Sequence, residues 1–183
     1  LLGGRERRCH RREWEQEQGG SQVSGETEGG THTLGDIKAT RVRAYHSWGI
    51  TGGDQIVYGG EACGYVIEFS NGVKIYHAGD TNVFGDMAII RDLYAPQIVM
   101  IPIGDHYTMS PREAAYACNL LKPKTVIPMH FVTFPVLTGR AVELQKQLPG
   151  FEILGLQPVV TAHYVRDASV ATTPMHTTAY RRK

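Results

Sequence analysis

The sequence is poor in most of the features that would assign it quickly. Its three cysteines, Cys9, Cys63 and Cys118, are far apart and odd in number. They form neither a disulfide framework nor a C-x-x-C pair, which favours a reducing, cytoplasmic setting. Net charge is close to nil: 19 Lys and Arg against 18 Asp and Glu leave +1, so no bias toward nucleic acid or acidic substrates is expected. The longest apolar run, IVMIPI at 98–103, is far short of the roughly 20 residues of a membrane span. There is no G-x-S-x-G elbow, no P-loop, and no G-x-G-x-x-G after a strand, so serine-hydrolase and nucleotide-binding readings lose their main support. No internal repeat recurs at a fixed period.

What remains is enough for one domain with tails: 183 residues, 42% of them hydrophobic. Residues 1–28 stand apart. RERRCHRREWEQEQ mixes Arg and Glu with few apolar residues, and GGSQVSGETEGG has linker composition, so a disordered or weakly helical segment is expected. A signal peptide is not expected, because the start is charged where an apolar core would be needed. Because the chain opens on Leu1 rather than Met, it reads as a fragment, a processed product or an incomplete gene model. Residues 29–158 carry the structured pattern, and 159–183 read as a polar tail.

Within 29–158 the periodicity predicts strands and helices in alternation. IKATRVRAYHS (37–47) alternates imperfectly and ends at His46. ACGYVIEFS (62–70) and VKIYHA (73–78) flank Asn71-Gly72, a hairpin turn signal. DMAIIRDLY (86–94) reads as a helix stopped before Pro96, and QIVMIP (97–102) as a buried, parallel strand. SPREAAYACNLLK (110–122) is the clearest helix. Ser110 suits the N-cap, Pro111 the first turn and Glu113 the capping box, with Ala114, Ala117, Cys118 and Leu121 on one face. KTVIPMH (124–130) is a strand ending at His130; 139–150 is a helix and 151–156 a last strand. This order predicts an α/β layer, a mixed sheet with helices on one face.

In such sheets chemistry gathers at the carboxyl ends of strands. His46, Asp80 and His130 all fall at strand ends, and so does IGDHYT with Asp105 and His106. Imidazole nitrogen and carboxylate oxygen are donors a borderline-soft divalent ion accepts. Gly79 would let the backbone pass close to a site, and Thr81 would orient the carboxylate. The residues alone leave plainer alternatives open. Asp80 could cap the helix near Asp86, His46 could be a surface histidine, and His130 a core histidine bonded to a carbonyl. His106 is either a pocket residue or a loop residue, and Asp105 either lines a pocket or caps the helix at Ser110. His77 reads as a packed strand residue.

Taken together, AYHSWG, YHAGDTNVFGDM, IPIGDHYTMSPREAA and VIPMHFVTFP resemble the metallo-β-lactamase superfamily, most of all its metal-dependent hydrolases. L-ascorbate-6-phosphate lactonase and N-acylphosphatidylethanolamine phospholipase D are similar at greater distance. The resemblance covers about 29–158 and implies the carboxyl-terminal half of an αββα sandwich. It implies metal ligation by His46, Asp80 and His130, with Asp80 bridging two cations. Asp80 and His130 are the implied catalytic pair, and Asp105 and His106 the implied substrate contacts. The implied cofactor is Zn²⁺, two per site, with Mn²⁺ or Fe as alternatives. A metal-bridging hydroxide would attack an ester, lactone, amide or phosphodiester of a small-molecule substrate.

One part of the superfamily pattern is absent. His-x-His-x-Asp-His should precede His46, and neither CHRRE nor THTLGD fits it. In the implied layout each cation keeps two protein donors where a catalytic zinc has three and a water. Activity of this chain alone is therefore expected to be impaired. The alternatives are a homodimer or a separate amino-terminal half that rebuilds the site, or a non-catalytic module binding a ligand or partner.

Overall fold

A computed structural model describes residues 27–47, 49–52, 54–156, 160–164 and 171–174. The expected disordered segment therefore lies almost wholly outside the described residues. Strands β1 (Thr31–Leu34), β2 (Ile37–Arg43), β5 (Cys63–Glu68), β6 (Lys74–His77), β7 (Ile98–Pro102), β8 (Thr125–Met129) and β9 (Glu152–Ile153) form one sheet, in the order β1-β2-β5-β6-β7-β8-β9. The first half is antiparallel, and from β6 to β9 every pairing is parallel. Two hairpins stand outside this sheet: β3 (Gly49–Gly52) with β4 (Gln55–Tyr58), and β10 (Val160–His163) with β11 (Ala171–Pro174).

Local chemistry sets the joints. At the β5–β6 turn, Asn71 Oδ1 accepts the Val73 N–H at 3.0 Å, and Gly72 takes φ +80°, a conformation glycine adopts without a Cβ penalty. Three helices follow: α1 (Met87–Tyr94), α2 (Pro111–Leu121) and α3 (Ala141–Gln147). In α2 the Ser110 side chain accepts the Glu113 N–H, and Glu113 Oε2 accepts the Ser110 N–H at 2.8 Å. This capping box satisfies two donors that the first turn leaves without intrahelical partners.

The helices gather on one face. Tyr76, Val99 and Val126, matched in register across β6, β7 and β8, are all fully buried. They share one core with Ala114, Ala117, Cys118 and Leu121 of α2 and Leu144 and Leu148 at α3. A mixed sheet with helices on one face is thus observed, and the α2 face is the one the periodicity predicts.

The structure also departs from the expected elements. β1 and both outer hairpins were not expected; they are short, and β10–β11 falls inside the stretch read as a tail. The strand expected at 151–156 is β9, two residues long rather than six. α3 starts two residues later than expected, because Gly139 packs against the Ile103 carbonyl and its N–H bonds the Gly104 carbonyl at 3.3 Å. No helix among the described residues is long and apolar enough to cross a membrane.

Candidate metal site at the carboxyl edge

β2 runs antiparallel to β5, and β5 antiparallel to β6; β2 therefore points the same way as β6, β7 and β8. The segments that follow these four strands emerge at one edge. They carry His46, Asp80, Asp105 with His106, and His130. The arrangement follows from topology alone and needs no closeness in sequence.

Two of these side chains, His130 and Asp80, approach each other closely. His130 Nε2 lies 3.7 Å from Asp80 Oδ2. That is too long for a hydrogen bond. It is close to the separation of about 3.4 Å expected for a nitrogen and an oxygen sharing one tetrahedral zinc at 2.0–2.2 Å each. The two side chains are 28% and 48% exposed, so the gap is open to solvent. His130 Nδ1, in contrast, is buried without a hydrogen-bond partner among the described residues. His130 also takes φ +54°, a strained backbone for a non-glycine residue.

His46 joins this edge through the backbone. Thr81 is fully buried. Its Oγ1 accepts the Tyr45 N–H at 2.9 Å and donates to the Asn82 carbonyl at 2.7 Å. The Asn82 N–H bonds the Tyr45 carbonyl at 2.8 Å. Thr81 thus ties the loop of His46 to the loop of Asp80, rather than orienting the Asp80 carboxylate as expected. A buried hydroxyl must find partners, and two backbone groups are within its reach. Gly79 takes φ +66°, and a Cβ there would stand 2.5 Å from the Cys63 carbonyl oxygen. The close approach expected of it is made to β5.

His46 and Asp80 line one cavity of about 630 Å³, together with Gly49, Cys63, Tyr65 and His77. His77 is a half-buried strand residue, as expected, and it also lines this cavity. Its neighbour Tyr76 is buried on the helix face, and strand alternation turns His77 to the other side. Its Nδ1 accepts the Gly79 N–H at 3.2 Å. Cys63 and Tyr65 were also passed over in sequence; both alternate with buried Gly64 and Val66 on β5, the one pattern that points to them. The Cys118 thiol, by contrast, lies in the α2 core, where burial pushes its pKa up to about 12.

Asp105 and His106 sit in the loop after β7 with φ of +66° and +53°. They are not among the residues lining that cavity. Asp105 Oδ1 accepts the His106 N–H at 2.9 Å, and the His106 ring meets Tyr107 edge-on at 4.4 Å. The helix cap belongs to Ser110, so Asp105 builds its own turn instead. Gly104, just before it, packs on the His130 carbonyl, which keeps this loop beside the candidate site. Asp80 does not cap α1 either: Asp86 holds that position, without a side-chain bond.

In donor chemistry the edge suits a divalent cation; in number it is short. Among the described residues no three His, Cys, Asp or Glu side chains group to hold a metal ion.

Comparison with known proteins adds a family to this geometry. A family model described as Beta-lactamase superfamily domain matches residues 5–131, beginning inside the Arg- and Glu-rich segment. A UPF0173 metal-dependent hydrolase of Koribacter versatilis is 58% identical over 145 residues, 79% of this chain. This chain spans 62% of that relative's length. Igni18, a metallo hydrolase of Ignicoccus hospitalis, superposes with a TM-score of 0.67 at 30% identity, over 90% of this chain and 66% of its own. YhfI of Bacillus subtilis, a metallo-beta-lactamase fold protein, superposes with a TM-score of 0.53 at 11% identity, over 72% of this chain and 51% of its own; that likeness speaks for the fold alone. With the family model matching well over half of its residues, the chain belongs to the beta-lactamase superfamily domain family, and its sheet and helices are those of the metallo-β-lactamase fold.

Proposed function

We propose that the chain is the carboxyl-terminal part of a metal-dependent hydrolase whose cations are held by His46, Asp80 and His130, with Asp80 shared. The observation that carries this is the 3.7 Å approach of His130 Nε2 to Asp80 Oδ2 at a strand edge. The metal-dependent hydrolase names of its relatives support it. The reaction class is hydrolysis of an ester, lactone, amide or phosphodiester. When bound, a divalent cation would supply Lewis acidity toward the scissile carbonyl or phosphoryl group. The protein's part is positional. Thr81 fixes the spacing of the His46 and Asp80 loops, and the strained turn at His130 aims its Nε2 at the carboxylate. Imidazole and carboxylate serve zinc, manganese and iron alike; zinc is the first choice for this donor set.

Two protein donors per cation, in place of three, lower affinity and impair activity of the chain alone. The donors that the family pattern places ahead of His46 would complete the site, whether supplied on the same polypeptide, by a separate amino-terminal half or by a second copy. The free thiols of Cys63 and Cys118 support a reducing, cytoplasmic setting.

The test is metal content of the purified chain, wild type against Asp80→Ala, by mass spectrometry after zinc loading, with sedimentation on the same samples. Weak uptake that Asp80→Ala abolishes is expected, rising toward two ions per assembled unit when the missing half is supplied. Equal uptake by both chains would refute the ligand assignment.

A further inference from the structure

The hairpin β3–β4 borders the cavity at Gly49, and the ligand assignment leaves it unused. Among the described residues its strands pair only with each other. A two-stranded hairpin alone is marginally stable in water, yet this one holds large apolar side chains in the open. Ile50 is 54% exposed, Ile56 81%, Val57 54% and Tyr58 67%. Register sorts them by face. Gly49 lies opposite Tyr58 and one diagonal step from Ile56, while Ile50 lies opposite Val57. Opposed residues share a face and successive residues alternate. Gly49, Ile56 and Tyr58 therefore form one face, and Ile50 and Val57 the other.

The first of these faces meets the cavity at Gly49 and extends beyond its rim through Ile56 and Tyr58. Gly49 lines the space that His46 and Asp80 also line. Ile56 covers Gly49 so closely that a Cβ there would stand 2.6 Å from Ile56 Cγ2. Tyr58 donates its hydroxyl to the Glu61 carboxylate, so what it offers a ligand is ring surface. Tyr65 of β5, 37% exposed, lines the same space. A cavity of about 630 Å³ holding a few polar groups, with an exposed apolar surface next to its rim, suits a small molecule.

We propose that this hairpin face binds the apolar body of the substrate. The site then takes an amphiphilic molecule, with its labile polar group at Asp80 and His130 and an alkyl or aryl portion along Ile56, Tyr58 and Tyr65. The proposal rests on the hydrolase reading above and deepens it by naming a substrate class. Continuity of the face with the cavity argues for substrate rather than for a second copy of the chain.

The probe is a neutral homologous series, 1-butanol to 1-octanol, titrated into the full chain and followed by NMR of isoleucine methyl groups. Kd is expected to tighten about fourfold for each added methylene, from ~0.8 kcal/mol per buried CH₂, with the Ile56 methyls shifting. Ile56→Ser and Tyr65→Ala should each flatten the series to about twofold per methylene or less. Tyr65 belongs to the main sheet, so its variant does not depend on hairpin integrity. Val57→Ser, on the opposite hairpin face, should leave the series unchanged. Zinc uptake should be the same in Ile56→Ser and wild type, which separates failure of this proposal from failure of the ligand assignment. A Kd independent of chain length, or equal steepness in Ile56→Ser and wild type, overturns it. So does a concentration-dependent dimer that Ile56→Ser dissociates, which would give the face to a second copy.

Discussion

Replacing Thr81 with valine removes a side-chain bridge between the loops of His46 and Asp80 and leaves their backbone bond, Asn82 N–H to the Tyr45 carbonyl, in place. Valine matches threonine in shape, so packing around this fully buried side chain is kept. What is lost is a hydroxyl that bonds the Tyr45 N–H at 2.9 Å and the Asn82 carbonyl at 2.7 Å. Each orphaned group costs ~1–3 kcal/mol, and with both only partly shielded the sum is about 2–3 kcal/mol. Thr81→Ser keeps the hydroxyl and removes one methyl, for about 1 kcal/mol. Urea unfolding should therefore rank wild type above serine above valine. For a chain of this size the valine variant should melt about 5–10 °C lower. Amide exchange at Tyr45 should quicken in the valine variant alone, because its N–H loses its acceptor there. A valine variant as stable as the serine variant, with Tyr45 exchange unchanged, would refute the bridge.

Gly79→Ala should cost about 2–4 kcal/mol, from a left-handed backbone that a Cβ disfavours together with a contact to the Cys63 carbonyl that must relax. Zinc uptake should fall with it, since Asp80 is the next residue; a loss under about 0.5 kcal/mol by urea unfolding would count against the geometry. Cys118 should resist thiol reagents at pH 8 until urea is added, whereas Cys63, on the cavity wall, reacts in the folded protein. The Cys118 pKa is raised in the fold to about 12, so its contribution to stability is complete below the unfolded value near 8.5 and is lost as pH climbs toward 12. Burial raises the Tyr76 phenol as well, so the urea midpoint should decline between pH 9 and 12. A midpoint flat across that range would contradict both.

The parts legible in the sequence were those with a local cause. The capping box of α2 needs only Ser110 and Glu113 three apart, and the β5–β6 turn only Asn71-Gly72. The apolar runs of β7 and β8 announce strands buried in a parallel sheet. The hairpin β3–β4 was illegible because its apolar residues face outward, against the usual relation of pattern to burial. That His77 also faces the cavity was not legible, because only the register that puts Tyr76 in the core decides which way a four-residue strand turns its histidine. Thr81 looked like a partner for Asp80 because sequence shows neighbours along the chain. Its actual partner, Tyr45, is 36 residues away.

Backbone strain marks the same edge independently of any motif. Six non-glycine residues take positive φ among those described: Ala95, Asp105, His106, Lys122, His130 and Val132. Ala95 and Lys122 close α1 and α2, where a left-handed residue is an ordinary helix stop. The other four lie in two loops, after β7 and after β8. Asp and His tolerate this conformation better than most residues, but Val132 is β-branched and is not expected there at all. Such residues cost of order 1–3 kcal/mol each and persist where the surroundings over-determine them. Here the surroundings are identifiable: Gly104 presses on the His130 carbonyl, Gly139 on that of Ile103, and the Ile103 N–H bonds the Met129 carbonyl at 3.1 Å. A chain folding for stability alone would relax these turns with glycine. Under the proposed ligand assignment, histidine at 130 in a strained turn, with Nε2 held toward Asp80, would give stability up for a fixed donor position, which a cation site requires and a packed core does not.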